Sequence, residues 1–196
     1  DRIAIMLPNV LQYPLVLFGA LQAGLVVVNT NPLYTVPEVV HQLNDAGAET
    51  VVVLANFAQV IQKALPQLMS IKNVIVTEIG DLFPWPKSWL FNWVIKFVKR
   101  AVPAWSIATA VGMPEVLARG KKLMLNPVAI NSSDIAFLQY TGGTTGVPKG
   151  AMLSHRNMLS NVTQLIAWIT PKLVLHEEVV ITALPLYHIF SLTVNL

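Results

Sequence analysis

The sequence contains no cysteine and few charged residues. Among its 196 residues, 13 are Lys or Arg and 10 are Asp or Glu, so only 12% are charged, whereas 54% are hydrophobic. Soluble domains average roughly 25% charged residues. The lack of cysteine excludes a disulfide framework, a thiolate zinc site and cysteine catalysis. The net charge of +3 is too small to indicate nucleic-acid binding.

The chain also lacks a long apolar run. Ile3 to Pro37 is 35 residues without a charge, but prolines and amide side chains interrupt it. Its longest stretch free of polar residues and proline, Leu15 to Leu21, has seven residues, where roughly 20 are needed to cross a bilayer. A membrane span is therefore disfavoured. Two explanations of the low charge stay open, a membrane-surface protein and a piece of a larger enzyme. The apolar ends at Asp1 and Leu196, without a start methionine or a helix stop signal, favour a piece of a larger enzyme.

The first 77 residues alternate β-rich runs with helix-like segments, which predicts an α/β fold with a doubly wound, mostly parallel sheet. Asn9 and Gln12 have capping-box spacing for a helix that ends near Gly24, although Pro14 predicts a distortion or a later start. Thr35 and Glu38 mark a second helix start. The predicted strands are Arg2–Leu7, Leu25–Val28, Thr50–Leu54 and Asn73–Thr77, and the other helices are Pro37–Ala46, closed by Gly47, and Phe57–Leu68.

Residues 78–131 form an aromatic and basic insert. Four of the five tryptophans lie between Phe83 and Trp105, and Lys87 to Lys122 holds seven basic residues against one acid, Glu115. On a helix from Ser88, aromatic and aliphatic side chains share one side, which suits either packing on the domain or contact with a membrane interface.

Residues 132–196 begin a third segment. The pattern predicts a strand over Ile135–Tyr140, a glycine-threonine loop, a strand over Gly150–Leu153 and a helix capped by Ser154. The apolar run Val179–Leu184 predicts a buried strand.

The loop Tyr140–Gly150 carries the clearest chemistry. Its glycines let backbone amides turn toward one point, its threonines add hydroxyls, and Lys149 adds a positive charge, which together indicate a polyphosphate cradle. A P-loop requires a lysine between Gly and Ser or Thr with a helix after it, but here Lys149 lies between Pro148 and Gly150 and a strand follows. The dinucleotide fingerprint G-x-G-x-x-G is also absent.

Tyr140–Gly150 resembles the phosphate-loop signature of the adenylate-forming acyl-CoA synthetases, luciferases and peptide-synthetase adenylation domains. The similarity continues through Ala151–Asn157 and Leu184–Phe190, and it includes Leu7-Pro8-Asn9, Ala23-Gly24 and Asn31-Pro32. Within this superfamily the chain is most similar to bacterial long-chain fatty acid–CoA ligases. The resemblance implies part of the large N-terminal domain of an acyl-CoA synthetase fold.

The resemblance implies a two-step acid–thiol ligase reaction with ATP, Mg²⁺ and coenzyme A: a fatty carboxylate is adenylated, and CoA then displaces AMP. Lys149 would hold the departing phosphates, Thr141 would also contact magnesium, and His188 matches the family's histidine near the acyl and adenylate site. The implied phosphate-binding residues are Thr141, Gly142, Gly143, Thr144, Thr145, Gly146 and Lys149. His41 and His176 carry no motif and are expected on the surface.

The family's adenine, ribose and magnesium-glutamate signatures and its C-terminal domain have no counterpart in this chain, so we expect the chain alone to be inactive. The expected partners are a long-chain fatty acid, ATP and CoA, in the cytoplasm, with peripheral contact at the inner membrane face through Trp85–Trp105; a homodimer stays open. The alternatives are a medium-chain or 4-coumarate-type CoA ligase, a phosphate-binding module such as a kinase, and a non-catalytic membrane-surface module.

Overall fold

A computed structural model describes residues 1–141, 148–174 and 177–195. The strands of this part of the chain are β1 (Arg2–Met6), β2 (Val26–Asn29), β3 (Thr50–Leu54), β4 (Asn73–Thr77), β5 (Ala110–Gly112), β6 (Ile135–Thr141) and β7 (Lys149–Ser154). The α-helices are α1 (Gln12–Gln22), α2 (Val36–Ala46), α3 (Ala58–Ala64), α4 (Lys87–Trp93), α5 (Met113–Gly120), α6 (His155–Ile169) and α7 (Ile189–Asn195).

The strands form one seven-stranded sheet in the order β5-β4-β3-β1-β2-β6-β7. All neighbours pair in parallel except β6 and β7, which are antiparallel. The sheet takes strands from all three segments of the sequence. Since β1 to β6 are parallel, their carboxyl ends lie along one edge, where open α/β sheets bind ligands.

Helices cover both faces of the sheet, as predicted for a doubly wound fold. On one face, Val39 and Leu43 of α2 and Ile61 of α3 pack against strand residues. On the other face, Tyr13 and Leu17 of α1 join a second core, which also takes in side chains of α5 and α7. The connections after β1 and β2 therefore leave toward opposite faces, and the crevice between these two strand ends is the topological switch point of the sheet.

The first helix begins later than its predicted cap. α1 begins at Gln12, so Pro14 falls in its first turn, where a missing N–H is tolerated. The capping role predicted for Asn9 is wrong, because its side chain bonds to the backbone of residues 182–186 instead. The helix start at Thr35 is confirmed: Thr35 and Glu38 form a capping box, and Gly47 closes α2 with a φ of 59°.

The segment predicted as helix over Phe57–Leu68 is helical but broken, with α3 between two 3₁₀ turns, Ala55–Phe57 and Leu65–Gln67. In the aromatic segment, α4 continues into a π-helical turn over Val94–Val98. Neither β5 nor α5 was predicted, because β5 has only three residues and carries no periodic signal.

The predicted strand Val179–Leu184 is wrong. These residues form no strand in the described chain, and Val179 and Ile181 are 90% and 84% exposed. A strand needs a neighbouring edge to satisfy its backbone hydrogen bonds, and no described strand pairs with this segment. Within the described ranges, the structure also contains no helix with the length and apolarity required for a membrane crossing.

Candidate active site at the carboxyl edge of the sheet

The predicted phosphate loop joins β6 to β7, and Thr141 and Lys149 are the last residues to pair before it. Directly opposed residues of antiparallel strands have Cα atoms roughly 4.5–5.5 Å apart. The two predicted site residues are therefore side by side at the mouth of the loop, and both are exposed. The remaining predicted phosphate-binding residues lie outside the described residues: Gly142, Gly143, Thr144, Thr145 and Gly146.

Tyr140, next to Thr141, holds the hairpin together from the α2 face. Its ring lies over Gly150, where an added Cβ would come to 3.0 Å from two ring carbons, so a larger residue there would have to displace the ring by a few tenths of an ångström. Its hydroxyl donates to Oδ2 of Asp45 at 2.5 Å. Burial, and then the hydrogen bond to Asp45, raise the pKa of Tyr140 well above its ordinary value. The phenol therefore remains a neutral donor at physiological pH.

The other end of the loop also contacts α2. Nε2 of His41 lies 3.2 Å from the carbonyl oxygen of Pro148. Because a carbonyl oxygen can only accept, Nε2 carries the proton in this contact. The expectation that His41 is a plain surface residue is wrong, since it is half-buried and tied to the loop. His176 lies outside the described residues.

His188 reaches the same edge of the sheet through the segment that precedes it. Asn9, just after β1, donates from Nδ2 to the carbonyl oxygens of Thr182 and Leu184 at 3.1 and 2.9 Å. Its Oδ1 accepts from the N–H of Leu186 at 2.8 Å. The segment is thereby bound at the switch point, and the exposed side chain of His188 follows it directly before α7.

A buried polar network connects this segment to β6. The hydroxyl of Tyr13 lies 2.7 Å from Oδ1 of Asn29 and 3.0 Å from the carbonyl oxygen of Leu186, and it can donate to either acceptor. Asn29 donates to Oε1 of Gln139 at 3.1 Å, and Gln139 donates to the carbonyl oxygen of Tyr187 at 3.1 Å. Burial strongly raises the pKa of Tyr13, so its hydroxyl stays protonated.

Gln139 connects the two halves of the site. It lies two residues before Thr141 in β6, and alternate strand residues point to the same face. The side chains of Gln139 and Thr141 therefore lie on the same face of β6. On that face, Gln139 holds the backbone directly before His188. Sequence analysis did not identify Asn29 or Gln139, although a signal was present: each is an amide near the end of an otherwise apolar strand. Such residues are rarely buried without a partner.

The aromatic segment begins at the same edge, beyond the end of β4. Asn92 of α4 accepts from the N–H of Gly80 at 2.8 Å and donates to Oδ1 of Asp81 at 3.1 Å. These bonds fix α4 next to Glu78, where burial, and then the nearby Asp81, raise the pKa of the carboxyl, while Lys96 acts in the opposite direction.

The outer side of this segment is an exposed aromatic surface, made of Trp85, Trp89, Trp93 and Phe97. Trp85 and Trp89 are 86% and 63% exposed. The rings of Trp89 and Trp93 stack with centroids 6.5 Å apart, and Phe97 lies 6.1 Å from Trp93. An open groove of about 510 Å³ follows these rings and includes Lys96 in its lining.

The described residues contain no group of three or more His, Asp or Glu side chains that could hold a metal ion. Around the loop mouth they offer the hydroxyl of Thr141 and the cation of Lys149. This set suits a ligand that brings its own negative charge, and it suits Mg²⁺ only as an ion held mainly by phosphate oxygens, which is the usual mode of Mg²⁺ at nucleotide sites.

Comparison with solved structures supports the fold. A long-chain-fatty-acid-CoA ligase from Archaeoglobus fulgidus superposes with a TM-score of 0.73 at 24% identity, over 98% of this chain and 32% of that one. A red-emitting luciferase from Phrixothrix hirtus gives 0.70 at 20% identity, over 98% and 33%. At these identities the similarity establishes the α/β architecture and nothing finer.

Curated relatives are more similar in sequence. The chain is 49% identical to a long-chain-fatty-acid–CoA ligase of Salmonella typhimurium, over 100% of this chain and 35% of the relative. It is 50% identical to the ligase of that name from Haemophilus influenzae, over 100% and 35%, and 31% identical to a 4-coumarate–CoA ligase of Pinus taeda, over 97% and 30%. The chain thus spans about a third of the length of these relatives. The AMP-binding enzyme family matches residues 1–196, the whole of the sequence, and the chain belongs to that family.

Proposed function

We propose that this chain supplies the phosphate-loop part of a long-chain fatty acid–CoA ligase. The observation that carries the proposal is the 49% identity to such ligases over the whole chain. In this chain, Thr141 and Lys149 flank a glycine-threonine loop next to the carboxyl edge of the sheet. The second candidate is a CoA ligase that acts on a 4-coumarate-type or a medium-chain acid. The lower identity of 31% to the 4-coumarate–CoA ligase disfavours a coumarate-type substrate.

The proposed reaction has two steps. An oxygen of the fatty carboxylate attacks the α-phosphorus of ATP, the bond from this phosphorus to the bridging oxygen breaks, and pyrophosphate leaves with that oxygen. The CoA thiolate then attacks the acyl carbon, the acyl–phosphate bond breaks, and AMP leaves. The first step brings an anion to a polyanion, so positive charge and fixed donors at the phosphates are its main requirement.

Lys149 and Thr141 meet this requirement at the loop mouth. The ammonium of Lys149 would neutralise the departing β- and γ-phosphates, and the hydroxyl of Thr141 would donate to a phosphate or bind the Mg²⁺ that ATP carries. When bound, Mg²⁺ would supply further charge neutralisation. The glycine-rich residues 142–146 would add backbone donors.

His188 would contact the acyl and adenylate groups. The two residues before it are bound to β6 and to the turn after β1, since Gln139 donates to the carbonyl oxygen of Tyr187 and the N–H of Leu186 donates to Asn9, so the imidazole starts from a backbone tied to the strand that carries Thr141. A neutral imidazole can both donate and accept, which suits orienting a carboxylate.

The test uses the full-length protein that contains this chain. Fatty-acid-dependent exchange of pyrophosphate into ATP, and trapping of the acyl-adenylate with hydroxylamine, are expected for the wild type. Lys149→Ala is expected to reduce exchange by about 100-fold or more, because a charge contact to the reacting phosphates is lost. Release of ADP with no hydroxamate would refute adenylation. The 196-residue chain alone is expected to show no exchange.

The aromatic surface supports a second role, contact with an anionic membrane. Trp and Phe rings exposed beside Lys96, Lys99 and Arg100 have the composition of an interfacial element. Each basic residue near an anionic bilayer contributes roughly 1 kcal/mol of attraction. We therefore propose a cytoplasmic enzyme that binds the inner membrane face through Trp85–Trp105.

Vesicle co-sedimentation of the full-length protein tests this role. Vesicles with phosphatidylglycerol are expected to bind the wild type more than pure phosphatidylcholine vesicles. Trp85→Ser combined with Trp89→Ser is expected to reduce this binding about tenfold, since two ring insertions are lost. Trp168→Ser, an exposed tryptophan outside the segment, is the matched control. Equal binding by both variants would contradict the proposal.

A further inference from the structure

We propose that helix α2 positions the phosphate loop, with His41 and Asp45 as its two positioning residues. The inference rests on the proposed function, because it concerns how ATP is held at the loop. Neither residue is placed in contact with a substrate. Each contacts the immediate neighbour of a proposed ATP-binding residue.

The geometry pairs one side chain of α2 with each end of the loop. Asp45 accepts from the hydroxyl of Tyr140, which precedes Thr141, at 2.5 Å. His41 donates to the carbonyl oxygen of Pro148, which precedes Lys149, at 3.2 Å. Residues four apart on a helix lie on the same side, so one helical face contacts both ends of the loop.

The helix that carries these side chains is capped at both ends and packed on the core. Its first turn is closed by the Thr35–Glu38 capping box, and Gly47 ends it in a left-handed conformation. Val39, Leu43 and Ala46 are buried in the core against the sheet. A side chain on such an element transmits a fixed position, as precise binding sites require.

The exit of the loop at Pro148 faces α2 beside a cavity. This cavity of about 470 Å³ lies beside these contacts between α2 and the hairpin, and its lining includes Tyr34, Glu38, His41, Tyr140 and Pro148. Pro148 has no N–H, so its carbonyl is its only backbone hydrogen-bonding group. In addition, β7 is the edge strand of the sheet within the described residues, with β6 as its neighbour. The hydrogen bond from His41 spans this cavity wall and ties the exit of the loop to α2.

The experiment measures steady-state kinetics of the full-length ligase with three variants. His41→Leu removes the donor, and its KM for MgATP is expected to rise about 3- to 10-fold, the value of one net hydrogen bond, with the KM for the fatty acid unchanged. His41→Gln retains a side-chain N–H and is expected to restore the KM for MgATP to within about twofold.

Asn44→Ala is the matched control on the same helix. Asn44 bonds to the backbone of Gln67 and Met69, away from the loop, at 2.9 and 3.0 Å. This variant is expected to lower the thermal midpoint without changing the KM for MgATP. A purely structural role of α2 would instead give parallel effects in His41→Leu and Asn44→Ala, and that result would overturn the proposal.

Tyr140→Phe tests the second contact, because it removes only the hydroxyl that reaches Asp45. Its KM for MgATP is expected to rise by a similar factor. In the double variant with His41→Leu, the KM for MgATP is expected to rise further. An unchanged KM for MgATP in His41→Leu, with an active wild type, would refute the positioning role alone. A wild type without fatty-acid-dependent exchange would refute the proposed function instead.

Discussion

At the scale of single residues, the carboxyl edge of the sheet holds polar groups that could not be buried without partners. Asn29 is 3% exposed and Gln139 is 6% exposed, and each donates one hydrogen bond and accepts another in the same network. A buried network of this kind stabilises the fold only while every member is satisfied. Loss of one member leaves its neighbours unpaired, which costs more than the bond itself.

Gln139→Leu is expected to destabilise the full-length protein by about 2–4 kcal/mol, because it leaves both the Asn29 amide and the Tyr187 carbonyl oxygen unpaired. Thermal unfolding is the measurement. Gln59→Leu, which removes one long and exposed bond to Ala104, is the control and is expected to be nearly neutral. Similar losses in the two variants would argue against the network.

Glu78 predicts a pH dependence of stability. Burial in the folded protein raises the pKa of this carboxyl above its ordinary value of 4.5. At pH values between the ordinary pKa and the raised pKa, the folded state therefore binds more protons than the unfolded state. Stability therefore falls as the pH rises through this window. Glu78→Gln is expected to remove this fall and to stabilise the protein at pH 7. Thermal midpoints of both proteins, measured from pH 4 to pH 8, would reveal parallel curves if the carboxyl were not involved.

At the scale of elements, α2 connects the core to the loop, and its end at Gly47 is a sensitive point. Gly47 has a φ of 59°, a conformation that costs an L-residue with a Cβ roughly 1–2 kcal/mol. Gly47→Ala is expected to lower stability by about this amount. Gly120→Ala, at the end of α5 with no neighbouring atom in the way, is expected to be neutral or slightly stabilising. Equal thermal midpoints for the two variants would contradict the prediction.

The elements with strong local signals were predictable from the sequence. Thr35 with Glu38 marked the start of α2, and Ser154 marked α6, where its hydroxyl accepts from the N–H of Asn157 at 3.2 Å. Local signals failed where partners from distant parts of the chain decide. Asn9 had capping spacing but bonds to residues more than 170 positions away, and Val179–Leu184 had strand composition without a strand neighbour.

The candidate site divides along the same line. Thr141 and Lys149 were identified because the motif is contiguous, and the structure opposes them across the hairpin. Their roles, and that of His188, remain predictions. His41 was missed because it lies 107 residues from its partner Pro148 and carries no motif. Such contacts depend on the packing of α2 against the sheet, which no local pattern encodes.

At the scale of the whole molecule, the described surface is unusually apolar. Large side chains are exposed on the 179–184 segment, on α6 and on the connection before β6, including Leu125, Met124, Leu159 and Trp168. Monomeric proteins rarely leave large contiguous apolar patches uncovered. We expect the 196-residue chain, produced alone, to elute from size exclusion well above its 21.5 kDa and to bind the dye ANS. A monodisperse particle of that mass with no dye binding would contradict this expectation.

Three consecutive residues of β6 contact three different parts of the molecule. Gln139 binds the backbone of Tyr187, next to His188, Tyr140 binds Asp45 of helix α2, and Thr141 begins the loop. A shift of β6 by one residue would move the side chains of Gln139 and Tyr140 to the opposite faces of the sheet, because side chains alternate along a strand. Within this hairpin, we therefore expect the fold to tolerate insertions or deletions between Thr141 and Lys149 better than inside β6 or β7, because a change of length there leaves the register of both strands intact. Attempts to transplant a loop from another relative should keep these two residues as the junctions.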